Sequence, residues 1–176
     1  MIEIERQEQI ISPWVTLVTH VVNNDDGIKA NYHSLKQADY VAILGVTEAG
    51  EIPLVQQYRP ALTRYTWELP GGLLEEDENP KECALRELFE ETGFESNNSE
   101  IALMGVLQPD TGRLENKLWC FFASNILLAS NWKQEAGINI QMVNTQELIN
   151  QSLSGKFDHA LHIAVVGLAM MNGYLK

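Results

Sequence analysis

Cysteine and basic residues are both scarce in this chain of 176 residues. The two cysteines, Cys83 and Cys120, lie in apolar surroundings, which predicts buried free thiols in a reducing compartment and argues against a disulfide framework or a cysteine metal pair. Lysine and arginine number 12 against 24 aspartates and glutamates, so the net charge is −12. This acidic balance argues against nucleic acid or an anionic membrane as a partner.

Long apolar runs and repeats are also missing from the sequence. No stretch reaches the length of a membrane-spanning helix, and residues 1–5 lack the charge pattern of a signal peptide. We therefore expect a cytoplasmic protein. A hydrophobic fraction of 45% is enough for a core, and this length predicts one domain with a modest appendage.

Apolar runs of strand length alternate with turn-forming residues along the chain. Two runs near the start, 14–22 and 28–35, predict an antiparallel arm over 1–38, and the main domain would occupy 39–176. Strands around one central helix, with another helix at the end, predict an α/β fold with a mixed sheet covered on both faces. Further strands are predicted at 40–46, 52–57, 66–69, 101–107, 118–123 and 138–143, and helices at 80–92, 145–151 and 158–171. Thr145 is the candidate cap of the second of these helices.

The central helix has clear start and stop signals. Asn79 can cap its first turn, and Pro80 loses no hydrogen bond at the first helical position. Gly93 stands just past the periodic stretch, where a left-handed residue commonly ends a helix. The sequence therefore predicts a helix from about residue 80 to residue 92.

Three glutamates share one face of this helix. Glu87, Glu90 and Glu91 stand at i, i+3 and i+4, so their side chains project together. A solvated acidic face is the ordinary explanation of such a run. However, the stretch from Gly72 to Phe94 holds eight acids and two bases, a net charge of −6. Clustered carboxylates are the ligands of Mg²⁺ or Mn²⁺, which share their remaining positions with water and substrate phosphates.

The spacing of the fixed residues in this stretch resembles the complete box of the Nudix hydrolases, which cleave nucleoside diphosphates linked to another group. One glycine, one glutamate, an Arg-Glu pair, a Glu-Glu pair and a closing glycine match; Phe94 departs from the usual aliphatic residue. The resemblance implies an α/β/α sandwich and two or three Mg²⁺ or Mn²⁺ ions. The matching residues are Gly72, Glu78, Arg86, Glu87, Glu90, Glu91 and Gly93.

The resemblance also implies a role for each matched position. Glu87, Glu90 and Glu91 would hold the metals together with the backbone carbonyl of Gly71. Arg86 and Glu78 would pair and hold the loop against the helix. Gly72 would let the backbone turn sharply beside the metals.

Several residues outside the box resemble members that cleave ADP-ribose and other nucleoside diphosphate sugars. Arg59, in the Gln-Tyr-Arg-Pro segment, would contact substrate phosphates or the terminal ribose, and Glu68 precedes the Leu-Pro-Gly-Gly turn as a further substrate-binding candidate. Trp14 and Tyr32 would clamp the base, although strand aromatics more often pack in a core or a dimer. Pro109 has the subgroup's spacing, but the residues after it depart from the expected loop.

The resemblance implies Mg²⁺-dependent hydrolysis of ADP-ribose to AMP and ribose 5-phosphate by a homodimer. Another nucleoside diphosphate derivative, such as GDP-mannose or a dinucleotide, is the alternative substrate, and a silent nucleotide sensor is the alternative of a different class. Glu135 is the preferred general base and Glu115 the second candidate. The histidines at positions 159 and 162 are expected to be packing or surface residues.

Overall fold

The computed structural model describes residues 2–96, 101–134 and 137–175. The chain is α/β, as predicted, and its strands and helices alternate along the sequence. The strands are β1 (Ile2–Ser12), β2 (Val15–Asn23), β3 (Lys29–Lys36), β4 (Tyr40–Val46), β5 (Glu51–Arg59), β6 (Arg64–Glu68), β7 (Phe94–Glu95), β8 (Ile101–Leu107), β9 (Leu118–Ser124), β10 (Leu127–Leu128) and β11 (Asn139–Asn144), and the helices are α1 (Pro80–Thr92), α2 (Thr145–Ser154) and α3 (Ala160–Met171).

The chain separates into two compact units. One comprises Met1–Asp39 with Leu107–Leu118, and the other comprises Tyr40–Val106 with Trp119–Lys176. The first unit contains the antiparallel sheet β1-β2-β3. Strand β1 was not predicted, because its residues are mostly charged or polar and carry no one-sided apolar pattern. Its backbone nevertheless pairs with β2 along nearly its whole length.

The second unit contains two three-stranded sheets, and helices α1 and α3 both pack on strand β4. Strand β4 lies at one edge of the three-stranded sheet β4-β9-β8, and β5 is central in the antiparallel sheet β11-β5-β6. Val41 and Ile43 pack in one buried cluster with Leu88 of α1. Because strand side chains alternate between faces, Ala42 and Leu44 face the other way, and α3 also packs on β4. This is the α/β/α arrangement that was predicted.

Helix α1 begins and ends as the sequence predicts. The Asn79 side chain accepts a hydrogen bond from the Lys81 amide at 2.9 Å, and Pro80 is the first helical residue. Gly93 has φ of 74° and its amide bonds to the Phe89 carbonyl at 2.8 Å. Cys83 and Cys120 are buried free thiols, and burial raises the pKa of each to about 12.

Replacing Asn79 with alanine removes this cap, and we expect unfolding to become easier by about 1 kcal/mol. Urea unfolding of the two proteins measures the difference. Asn79→Ser, which keeps a capping oxygen, should lose little stability. A loss as large in Asn79→Ser as in Asn79→Ala would contradict the capping explanation.

The other predicted boundaries need small corrections. Asn144, rather than Thr145, caps α2, because its side chain accepts from the Glu147 amide. His159 caps α3, which therefore starts two residues later than predicted. The two-residue strands β7 and β10 were too short to give a pattern. None of the helices in the described part of the chain is long and apolar enough to cross a membrane.

Candidate active site

The three glutamates on the predicted metal-binding face of α1 differ widely in exposure. Glu91 is only 7% exposed, whereas the Glu90 side chain is 52% exposed. One guanidinium nitrogen of Arg86 bonds both Glu87, at 2.8 Å, and Glu90, at 3.0 Å. The structure therefore brings Glu87 and Glu90 together around one cation, and Glu91 lies on the inner edge of the same face.

Glu91 is tied to two neighbouring segments. Its carboxylate accepts from the Gly71 amide at 3.0 Å and from the side chain of Gln57 on β5. Burial raises the pKa of Glu91 to about 7; the Gly71 hydrogen bond opposes this rise and the Glu87 charge adds to it. Burial also raises the pKa of Glu87, and the hydrogen bond from Arg86 opposes that rise. Glu91, which is buried, and Glu87, which is partly buried, thus lie where a cation would favour their ionised forms.

The backbone before the helix is held by both β4 and α1. The amides of Ile43 and Val41 donate to the carbonyls of Pro70 and Gly72, both at 2.9 Å. The Gly71 amide, between these two bonds, donates to Glu91 of α1. Gly71 is therefore fixed beside one of the three glutamates expected to hold metals.

Gly72 is needed for space and not for a left-handed turn. Its φ lies outside the left-handed region. A Cβ atom built on Gly72 would lie 2.5 Å from the carboxyl carbon of Glu87. The glycine therefore lets the Glu87 side chain lie directly against the loop.

Arg86 and Glu78 form the predicted pair. Two guanidinium nitrogens of Arg86 bond the two Glu78 oxygens at 2.8 and 3.0 Å. The Arg86 guanidinium holds the pKa of Glu78 down to about 2, despite partial burial. Glu78 also accepts from the Glu75 amide at 3.0 Å, so the pair fastens the acidic loop to α1.

Arg59 and Glu68 form a second bidentate pair. Arg59 donates to the two Glu68 oxygens at 2.7 and 2.6 Å, and Thr66 donates to the same carboxylate. Glu68 is 2% exposed, whereas the Arg59 side chain is 42% exposed. Burial raises the pKa of Glu68, but the hydrogen bonds outweigh it and hold the pKa at about 2. Glu68 therefore orients Arg59, whose charge also acts on Glu91.

The other predicted site residues that the structure describes belong to the first unit. Trp14, which is 70% exposed, and Tyr32, which is also exposed, belong to the first unit, so neither is core packing within it. Glu115, also in that unit, bonds Arg6 at 2.8 Å and accepts from Ser34, and the Arg6 hydrogen bond lowers its pKa. A strongly hydrogen-bonded carboxylate is a poor base. Glu135 lies outside the described residues.

Three contacts of the site were not predicted. Gln57 holds Glu91, and only its place in a segment of interest hinted at this. His162 of α3 accepts from the Leu69 amide at 3.0 Å, and His159 lies 4.0 Å from Glu68. His162 is 93 residues from Leu69 along the chain, so no spacing rule could connect these histidines with the site.

The donor set suits a hard dication. The residues gathered here supply carboxylate oxygens from Glu87, Glu90 and Glu91 and the carbonyl oxygen of Gly71. Oxygen ligands of this kind are those that Mg²⁺ and Mn²⁺ prefer. Buried carboxylates with raised pKa values fit the same ion, because a dication would compensate their charge.

The chain is similar to curated proteins over about half of its own length. The chain is 42% identical over 89 residues to an ADP-ribose pyrophosphatase of Bacillus subtilis (strain 168), covering 50% of this chain and 48% of that protein. It is 36% identical over 96 residues to a methanol dehydrogenase activator of Bacillus methanolicus, covering 54% and 52%. The matches thus span about half the length of these curated relatives.

A solved structure described as an ADP compounds hydrolase superposes with a TM-score of 0.82, over 97% of this chain and 92% of that one. At 17% identity, this likeness shows the fold. The sequence pattern of the NUDIX domain matches residues 36–152, which is more than half of the chain. The chain therefore belongs to the NUDIX domain family.

Proposed function

We propose that this protein hydrolyses the diphosphate bond of a nucleoside diphosphate sugar with the help of Mg²⁺. The first candidate reaction converts ADP-ribose and water to AMP and ribose 5-phosphate. The observation that carries the proposal is the buried Glu91 carboxylate, which is held by the Gly71 amide and lies close enough to Glu87 to feel its charge. The name of the Bacillus subtilis relative and that of the structural neighbour support the substrate class.

Two or three Mg²⁺ or Mn²⁺ ions would be held by Glu87, Glu90, Glu91 and the Gly71 carbonyl. When bound, they would neutralise charge on the phosphoryl oxygens and acidify the attacking water. Arg86 keeps Glu87 and Glu90 together and Gln57 keeps Glu91 in place.

The other residues of the chain have separate parts in this proposal. Arg59, oriented by Glu68, would bind the substrate's phosphates through the guanidinium edge that Glu68 leaves free. Glu135 would accept a proton from the attacking water. The water oxygen then forms a bond to phosphorus, and the bridging P–O bond breaks. The AMP and sugar phosphate products then leave.

A substrate panel tests the proposal. The protein is incubated with Mg²⁺ and, separately, ADP-ribose, an ADP-hexose, GDP-mannose and a dinucleotide, and the nucleoside monophosphate is quantified. ADP-ribose is expected to give the highest kcat/KM. Faster cleavage of GDP-mannose or the dinucleotide would replace ADP-ribose with that alternative, and absence of any cleavage would refute hydrolysis.

The raised pKa of Glu91 predicts that the acid limb of the pH–rate profile depends on the Mg²⁺ concentration. Mg²⁺ must displace the proton from a carboxyl of pKa about 7, so activity at limiting Mg²⁺ should fall as pH drops below about 7. Higher Mg²⁺ should move this limb to lower pH, by about one unit per tenfold of Mg²⁺ above its dissociation constant, because proton and metal compete. Initial rates over a grid of pH and Mg²⁺ measure the shift. A limb that stays in place at every Mg²⁺ concentration would contradict this competition.

The silent sensor is the rival of a different class. Such a domain would bind nucleotide but would not need an ionised metal site, and here all three box glutamates are present. Two measurements distinguish the sensor from the hydrolase. Calorimetry measures nucleotide binding, and product analysis measures release of nucleoside monophosphate with Mg²⁺ or Mn²⁺. Binding without release would favour the sensor.

A homodimer in the cytoplasm is the proposed working form. Trp14 and Tyr32 are exposed in the first unit, which suits aromatic contacts with either a substrate base or a second subunit. Sedimentation of the wild type and of Trp14→Ala gives their oligomeric states, and rate assays give their KM values. A dimeric variant with a raised KM indicates base contact, whereas a monomeric variant indicates dimer packing.

A further inference from the structure

The 156–162 segment, which leads into the first turn of α3, contacts β6 and Leu69, the residue after β6. Asp158 pairs with Arg64, and the Lys156 ammonium lies 5.5 Å from the centroid of the Trp67 ring. His159 and His162 extend these contacts to Glu68 and Leu69. Four side chains of the 156–162 segment therefore contact the strand that leads into the candidate active site.

His162 makes the innermost of these contacts. It is buried, its ring stacks on His159 with centroids 3.9 Å apart, and its Nδ1 accepts from the Leu69 amide at 3.0 Å. Burial lowers the pKa of His162 to about 3, so the ring is neutral and keeps the lone pair that accepts this hydrogen bond. A buried amide left without a partner is strongly disfavoured.

Leu69 is two residues from Gly71, with only Pro70 between them. The Pro70 carbonyl is held by Ile43 and the Gly71 amide by Glu91. The 69–71 backbone is thus fixed on three sides, by β4, by α1 and, through His162, by α3. Loss of the α3 anchor frees the N-terminal end of the segment that presents the Gly71 carbonyl.

We propose that His162 is a positioning residue of the active site, which acts through the Leu69 amide to set the Gly71 carbonyl for the metal. This inference rests on the proposed function, because it takes the Gly71 carbonyl as a metal ligand. His162 itself touches neither substrate nor metal in this proposal.

A metal centre made by Glu68, His159 and His162 is the competing explanation. One ligand-type atom from each lies within 4.8 Å of the others. However, Glu68 already accepts from Arg59 and Thr66, and the Nδ1 atoms of both histidines accept backbone amides. Arg59 also supplies the compensating positive charge. These hydrogen bonds engage the Glu68 carboxylate and both Nδ1 atoms, which favours the positioning role.

Three substitutions at one position test the proposal. Asparagine places an oxygen near the position of Nδ1, glutamine places its amide near that of Nε2, and leucine removes the acceptor at similar volume. Mn²⁺ affinity is measured by calorimetry, and Leu69 amide exchange by NMR, in each full-length variant and the wild type. Neither readout requires turnover.

We expect His162→Leu and His162→Gln to weaken Mn²⁺ binding about tenfold or more, as loss of outer partners of a metal site commonly does. Exchange of the Leu69 amide should accelerate in both. His162→Asn should stay within about threefold of the wild type, as a rescue by the matched acceptor. If the leucine variant does not fold, the asparagine and glutamine variants carry the comparison.

Unchanged Mn²⁺ affinity in folded His162→Leu or His162→Gln would overturn the proposal. Equal losses in the asparagine and glutamine variants would also overturn it, because the acceptor position would then be irrelevant. If the wild type binds no Mn²⁺, the proposed function itself fails. That result differs from a wild type that binds Mn²⁺ and a variant that binds it equally well.

Discussion

Replacing Glu91 with glutamine is expected to lower turnover by roughly a thousandfold. The substitution keeps the size of the side chain but removes the charge of the most buried carboxylate at the proposed metal site. Charge stabilisation by a bound metal contributes several kcal/mol to the transition state, and about 4 kcal/mol corresponds to three orders of magnitude in rate.

The same substitution is expected to stabilise the metal-free protein. The folded-state pKa of Glu91 is raised to about 7 from 4.5, so the folded state binds more protons between these values and its stability falls as pH rises through this window. Above pH 7, ionised Glu91 therefore disfavours folding by about 3 kcal/mol. A weakened hydrogen bond in the variant offsets about 1 kcal/mol of the gain.

Thermal unfolding with EDTA, at pH 5 and pH 8, measures the change in stability. Rate assays with Mg²⁺ measure the loss of turnover. Glu91→Gln should unfold several degrees above the wild type at pH 8, with a smaller difference at pH 5. Mg²⁺ should raise the Tm of the wild type and leave that of the variant nearly unchanged. A folded variant with near-normal Mg²⁺-dependent turnover would refute the metal role of Glu91.

Replacing Gly72 with alanine is expected to weaken Mg²⁺ binding about 10- to 100-fold while leaving the protein folded. The added methyl group would overlap the Glu87 carboxyl group, which is the end of a flexible side chain. Glu87 can rotate away, and the added strain is about 1 kcal/mol. Rotation, however, separates Glu87 from Arg86 and from the other carboxylates.

Gly71→Ala provides the informative contrast. Its Cβ would overlap the Val41 carbonyl oxygen and lie 3.0 Å from the Ala42 Cα, and neither backbone atom can rotate away. The loop would have to leave β4, and we expect about 3 kcal/mol of lost stability from overpacking and weakened hydrogen bonds. Gly167→Ala on α3 is the control, since its Cβ meets only the Met171 terminal carbon at 3.8 Å; it should bind Mg²⁺ normally.

Calorimetric titration with Mn²⁺ and urea unfolding of the three glycine variants separate the two effects. Gly72→Ala should lose affinity with little loss of stability, whereas Gly71→Ala should lose stability first. Wild-type Mn²⁺ affinity in Gly72→Ala would show that the Glu87 position is unimportant for the metal.

The helices and the box were predictable because their signals are local. Asn79, Pro80 and Gly93 act within one helical turn of themselves, so α1 was predicted with its observed bounds. Strand β1 was not predicted because its own residues carry no strand pattern. It forms through backbone hydrogen bonds to β2. The cap of α2 was misplaced by one residue because Asn144 and Thr145 are both good caps.

The carboxylates of the site were predictable, but their surroundings were not. Spacing puts Glu87, Glu90 and Glu91 on one face, yet only the fold shows that Glu91 is buried and Glu90 exposed. The need for glycine at position 72 arises from a side chain 15 residues away. His162 is still farther along the chain, and no local pattern links it to Leu69.

Anomalous diffraction from crystals soaked in Mn²⁺ tests most directly whether the helix face and the Gly71 carbonyl form a dication site. We expect anomalous peaks within about 2.0 to 2.3 Å of oxygens from Glu87, Glu91 and the Gly71 carbonyl. Ordered Mn²⁺ bound only at other positions, with these oxygens unliganded, would contradict it.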